Sequence, residues 1–163
     1  MTPSPIQFWP WTKRFRLLFD HSLRRSYRLF RLFPPIDCRR ILDVGAHRGT
    51  FTDRALRCFK VEHVWLVEAN PDAAAALQRK YAHEPRCKVI PRAITAKRED
   101  VRLHIAAHSG SSAVQFGAEP LPTGQTERIV TVPAVNLDDL FQQEHIEQID
   151  LMKVDIQGAE RML

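Results

Sequence analysis

Cysteine is scarce in this 163-residue chain, and the three present, Cys38, Cys58 and Cys87, show no C-x-x-C spacing. An odd number without paired spacing excludes a disulfide framework and the common zinc sites. The expectation is reduced, partly buried thiols. Long apolar runs are also missing. No stretch approaches the ~20 apolar residues that a membrane-spanning helix needs. Near the N-terminus arginines interrupt the apolar residues, so no signal-peptide h-region forms. There is no internal repeat and no long low-complexity tract. No His/Cys ligand cluster is present and no metal site is expected; only the carboxylates Asp155 and Glu160 leave a divalent ion open.

What is there suits one domain with a real core: 44% hydrophobic and 26% charged residues. The net charge of +5 is unevenly placed. Residues 1–40 hold 9 Lys/Arg against 2 Asp/Glu, a net +7, while residues 41–163 hold 15 against 17, a net −2. The basicity therefore belongs to an N-terminal arm, and the domain itself gives no reason to expect nucleic acid as a partner.

The arm, residues 1–35, begins irregularly at Pro3, Pro5 and Pro10. From Trp11 to Phe33 it interleaves aromatic and aliphatic residues with arginine. Phe15, Leu18, Phe19, Leu23, Tyr27 and Phe30 recur every three or four residues, which predicts a basic amphipathic helix ended by Pro34-Pro35. Packing on the domain, contact with a membrane surface and contact with a partner all suit such a helix.

Residues 36–163 alternate strand and helix, which predicts an α/β fold: a Rossmann-like, doubly wound, mostly parallel sheet. Strands are expected at Ile41–Val44, Val64–Glu68, Lys88–Pro91 with a continuation towards Ile94, and within Ile149–Ile156. Helices are expected at Thr50–Phe59, with Thr50 and Asp53 as a capping-box-like pair, and after Asn70-Pro71, an N-cap followed by proline at the first helical position. Between the third and last strands, Val101, Leu103 and Ile105 alternate as a half-exposed strand does. Residues 109–117 read as a small-residue loop, 117–127 as an exposed Pro/Gly-rich loop, Arg128–Val132 as a strand limited by Pro133, and Leu137–Phe141 as a short helix. A helix opens at Gly158–Leu163.

The most informative stretch is ILDVGAHRGT at 41–50. A buried strand, a glycine turn and a helix start make a corner where backbone N–H groups and the positive helix end favour a nucleotide-like ligand. Ala46-His47 departs from the dinucleotide pattern G-x-G-x-x-G, which weighs against an NAD(P)-dependent oxidoreductase.

DVGAHRG at 43–49 resembles motif I of S-adenosylmethionine (SAM)-dependent methyltransferases. In order along the chain follow VEANP around Glu68, SSAVQF at 111–116, LDDLF at 137–141 and IDLMKVDIQGAE at 149–160. This succession resembles the FkbM family of SAM-dependent methyltransferases over about residues 40–163. The resemblance implies a SAM-dependent O-methyltransferase acting on a hydroxyl of a sugar or small natural product. It implies a core strand order 3-2-1-4 with the later strands of the fold missing. It also implies a cofactor site of Asp43, Gly45, Ala46, His47, Gly49, Glu68, Ala69, Asn70, Arg92 and Ala93. Glu68 would accept the ribose hydroxyls, Gly45 and Gly49 would let the backbone approach the ligand, and Arg92 and Ala93 would lie near adenine.

Asp155 and Lys153, two residues apart on the last strand, are the candidates for the catalytic end, with His108 as a further candidate base. Asp43 suits either the loop or the methionine amino group, and Asn70 suits either the ligand or a helix cap. Two departures from the family pattern stand out. His47 takes the place of the usual Asn, and the sequence stops at Leu163. The second suggests a truncated reading frame or a short protein completed by oligomerisation, and leaves open a non-catalytic SAM-binding or interaction domain. A cytoplasmic protein is expected, with peripheral contact to the inner membrane surface left to the arm.

Overall fold

In the computed structural model the described residues are 37–96, 99–106, 112–115 and 126–156, together with the isolated strand Arg16–Phe19. Five strands form one parallel sheet: β1 (Arg16–Phe19), β2 (Arg40–Val44), β3 (His63–Val67), β4 (Cys87–Ile90) and β10 (Leu151–Val154). Their spatial order is β1-β10-β2-β3-β4. Leaving β1 aside, this is the 3-2-1-4 order expected from the sequence, in a mixed α/β fold.

Strand periodicity sorts the buried residues into two layers. One face presents Ile41, Val64, Leu66 and Leu151 to α1 (Thr50–Cys58) and α2 (Pro71–Lys80), which contribute Phe51, Ala55 and Leu77. The opposite face presents Leu42, Val44, Val67, Met152 and Val154 to Leu140 of α3 (Leu137–Gln143) and to Ile146 and Ile149. The near-continuous burial of β2 and β10 follows from helices covering both faces. Side-chain caps set two helix starts. Asn70 accepts the N–H groups of Asp72 and Ala73 at 3.0 and 3.5 Å, with Pro71 at the first helical position, and Asn136 accepts Asp139 N–H at 2.8 Å.

Smaller sheets stand beside the main one. Strands β6 (Val101–Ala106), β7 (Ser112–Gln115) and β8 (Thr126–Val132) form an antiparallel unit in the order β7-β6-β8. Its buried side, Val101, Leu103, Ile105 and Val132, packs with Ala69, Ala93 and Ala134. Strands β5 (Ala93–Ile94) and β9 (Ala134–Val135) form a parallel pair.

Four sequence expectations need correction. Arg16–Phe19 is strand and not part of a helix: it pairs in parallel with β10, Arg16 opposite Leu151 and Phe19 opposite Val154. The open edge of a parallel strand offers unpaired backbone groups, and an extended segment satisfies them where a helix cannot. The capping pair Thr50/Asp53 does not form. Gly49 is the N-cap in a left-handed conformation, and Asp53 instead bonds Tyr81 and Lys80. The third strand does not run on to Ile94: it ends at Ile90, and Ala93–Ile94 turns away to pair with β9. Finally, Ser112–Gln115, read as loop, is a strand because Val101–Ala106 supplies a partner. The remainder of the N-terminal arm, residues 117–125 of the Pro/Gly stretch and the helix expected at Gly158–Leu163 lie outside the described residues.

Candidate functional site

The sheet order reverses between β10 and β2, because the chain leaves β2 for β3 on one side and returns much later as β10 on the other. Open α/β sheets bind ligands beyond the carboxyl ends of the strands at such a switch point. Gly45–Gly49 occupies that position here.

The turn is tightly specified. Gly45, His47 and Gly49 have φ of 74°, 50° and 71°, so three of five residues are left-handed, a conformation glycine adopts without strain. Gly45 and Ala46 donate to the carbonyl of Val67 at 2.9 and 3.2 Å, and Gly49 N–H closes the turn on Ala46 O at 2.7 Å. Protein neighbours already require both glycines. A Cβ on Gly45 would overlap the carbonyl oxygen of Asp155, and one on Gly49 would sit 2.5 Å from the Tyr81 hydroxyl.

Glu68 follows β3 and is 7% exposed. One carboxylate oxygen accepts His47 N–H at 2.7 Å and the other accepts Asn70 N–H at 2.8 Å. Its own N–H donates to Ile90 O at 3.0 Å. The carboxylate is thus held beside the glycine turn, with lone pairs left over on both oxygens. Asn70 combines the helix cap described above with this backbone contact, and Ala69 between them packs under the antiparallel unit.

Beneath the turn lie three charged groups. Asp43 is fully buried and accepts the Thr52 hydroxyl of α1 at 2.8 Å. Lys153, also buried, donates to Gly45 O at 2.6 Å. Its ammonium stands 3.3 Å from Asp43 and 3.8 Å from Asp155. Asp155 N–H donates to Val44 O at 3.0 Å, which ties the end of β10 to the end of β2.

The far side of the turn is held from α2. Lys80 donates to Arg48 O at 2.8 Å and pairs with Asp53 at 2.6 Å. The Tyr81 hydroxyl lies 3.0 Å from Gly49 O and 2.8 Å from Asp53. Burial, reinforced by Asp53, pushes the Tyr81 phenol well above its ordinary range.

Of the residues singled out from the sequence, Asp43, Gly45, Ala46, His47, Gly49, Glu68, Asn70, Lys153 and Asp155 meet around this turn. Ala93 is buried in the β5–β9 pair, and Arg92 N–H turns back to Ile90 O at 3.0 Å. His108 and Glu160 lie outside the described residues. Thr52, Lys80 and Tyr81 carry no sequence signal for their place here, and Asp53, expected as a cap, instead meets Tyr81 and Lys80. The i, i+4 pair Leu77–Tyr81 marks Tyr81 as core-facing, but nothing local shows that it reaches Gly49. Among the described residues no group of three or more His, Cys, Asp or Glu is placed to hold a metal ion, and no helix is long and apolar enough to cross a membrane.

A doubly wound parallel sheet with a glycine turn at the switch point and an acid after the next strand defines a Rossmann-like class of domain. Residues 43–163 match the family described as Methyltransferase FkbM domain, and the chain belongs to that family. A crystal structure of Methyltransferase FkbM from Methylobacillus flagellatus KT is similar at 20% identity with a TM-score of 0.49, over 79% of this chain and 28% of that one. The chain therefore spans less than a third of that chain's length. No curated protein matches the sequence.

Proposed function

We propose that this chain binds SAM at the Gly45–Gly49 turn and directs methyl transfer to a hydroxyl of a sugar or small natural product. The observation that carries the reading is the Glu68 carboxylate, nearly buried and fastened to both flanking loops through His47 and Asn70 N–H. The donor set fits an adenosyl group: a fixed carboxylate with spare lone pairs suits two vicinal hydroxyls, and the α1 N-terminus, with glycine as its N-cap, adds a positive dipole end. When bound, SAM supplies an electrophilic methyl on a sulfonium leaving group.

The protein's task is then to position and to exclude water. Glu68 holds the ribose, the turn backbone shapes the cradle, and Asp155 at the carboxyl end of β10 orients the acceptor hydroxyl and takes its proton. The Asp155 side chain is 20% exposed, against 6% for Lys153 and none for Asp43, so Asp155 is the acid of this group that an acceptor can reach. In this reading the enzyme works in the cytoplasm on a small molecule or glycan, without nucleic acid. The basic arm gives it a means of touching the inner membrane surface, and association into oligomers is compatible with it.

Calorimetric titration with SAM, S-adenosylhomocysteine (SAH) and NAD tests the assignment. Binding of SAM and SAH without NAD is expected, and binding of NAD alone overturns it. Binding of SAM with no transfer to any hydroxyl acceptor would reduce the protein to a non-catalytic binding module.

A further inference from the structure

Lys153 is a buried cation with nothing in common with a surface lysine. It stands directly opposite Asp43 in the β10–β2 register, and both side chains point to the α1/α2 face. Its side chain is 6% exposed and that of Asp43 is 0% exposed. The ammonium donates to Gly45 O at 2.6 Å and Val44 O at 3.4 Å, and lies between Asp43 at 3.3 Å and Asp155 at 3.8 Å. Asp43 Oδ2 accepts the Thr52 hydroxyl. Asp43 Oδ1 is buried without a hydrogen bond among the described residues, so the ion pair to Lys153 is what compensates it.

Two features follow. An ammonium committed to backbone carbonyls and carboxylates has no lone pair with which to take a proton from an acceptor. And Asp43 and Asp155 with one ammonium leave one net negative charge beneath the turn, in addition to the Glu68 carboxylate beside it, in surroundings where charges interact strongly because water is largely excluded.

We propose that Lys153 is a positioning and specificity residue. It fixes the Gly45 carbonyl, and by neutralising one of two carboxylates it limits how strongly the turn prefers a cationic sulfonium donor over the neutral thioether product. The inference rests on the reading that the turn takes SAM. Its consequence is a balance: without Lys153 the second carboxylate would favour the cation further, while the turn itself would lose its anchor.

The test measures SAM and SAH affinities by calorimetry for the wild type and for Lys153→Arg, Lys153→Met, Asp43→Asn and the double variant Asp43→Asn/Lys153→Met, with circular dichroism confirming the fold. Lys153→Met should weaken both ligands about tenfold, a loss of about 1.4 kcal/mol, yet raise the SAM-over-SAH preference at least about threefold. Lys153→Arg keeps the cation and should keep the wild-type preference. Asp43→Asn should lower that preference. The double variant has the wild-type net charge, so its preference should return to the wild-type value while both affinities stay weak. If Lys153→Met fails to fold around an unpaired Asp43, the Asp43→Asn and double variants still decide. Preferences that do not follow the charge overturn the inference and leave SAM binding intact. A wild type that binds neither ligand overturns both.

Discussion

Glu68 Oε2 accepts the backbone N–H of His47 at 2.7 Å, so the end of one strand holds the turn that follows its neighbour. The other oxygen does the same for Asn70 at 2.8 Å. One carboxylate therefore organises the first crossover and the start of α2, and any ligand it binds meets a group already fixed.

Replacing Glu68 by Ala should weaken SAM binding by roughly 1.5–3 kcal/mol, the usual loss for hydrogen bonds to a charged group. It should also lower stability by about 1–3 kcal/mol, because two backbone N–H groups lose their acceptor. Calorimetry reads the first effect and urea unfolding the second. Unchanged affinity with reduced stability would leave Glu68 a purely structural acid.

Gly49 and Tyr81 should behave as a coupled pair. Gly49→Ala suffers twice, from its φ of 71° and from a Cβ 2.5 Å from the Tyr81 hydroxyl. The left-handed backbone alone costs roughly 1–2 kcal/mol. In a Tyr81→Phe background the overlap with the hydroxyl is gone, while the left-handed backbone and the 3.0 Å contacts with Leu77 Cδ2 and the ring Cε2 remain. A double-mutant cycle by urea unfolding should give a coupling of about 0.5–3 kcal/mol. Strictly additive effects would mean the hydroxyl does not sit against Gly49.

Alkaline pH should destabilise the fold through Cys87. Burial, with Glu84 adding to it, pushes this thiol up to about 12, whereas an unfolded cysteine titrates at about 8.5. The native chain therefore keeps a proton that the unfolded chain has released, and stability falls as pH rises from about 9 towards 12. Cys87→Ala should flatten that limb of the stability profile. At neutral pH a thiol reagent should label the exposed Cys58 first and reach the buried Cys38 only on unfolding. Equal labelling rates at all three cysteines would contradict the packing.

Removing residues 1–19 should open an edge. Arg16–Phe19 covers the outer side of β10, and an uncovered parallel edge invites pairing with another chain. Light scattering should show self-association that rises with concentration. A monomeric, equally stable deletion variant would show that the edge is protected by other means.

Much of this architecture was legible because its signals are local. Asn70-Pro71 specifies a helix start by side-chain chemistry alone, and both residues do what their types suggest. The alternation Val101, Leu103, Ile105 foretold a strand with one buried face, and these residues are buried. The four parallel strands β2, β3, β4 and β10 were marked by apolar runs between turn signals. Where the reading failed, a distant partner decided. Phe15, Leu18 and Phe19 carry helical spacing, yet Arg16–Phe19 pairs with a strand far along the sequence. Ser112–Gln115 has no strong strand signal of its own and extends because β6 offers hydrogen bonds. Asp53 had the look of a capping acid, but Tyr81 and Lys80 claim it.

The candidate site divides the same way. Residue types and their order along the chain determined the glycine turn, the acid after the next strand and the alternation of Lys153 with Asp155, since each depends only on neighbours and on a period of two. Register across the sheet decided the rest: that Lys153 faces Asp43, that its ammonium reaches Gly45, and that Gly45 and Gly49 are held open for Asp155 and Tyr81. Such contacts join residues more than 30 positions apart, and their geometry comes from how strands align and helices pack, which no local pattern encodes.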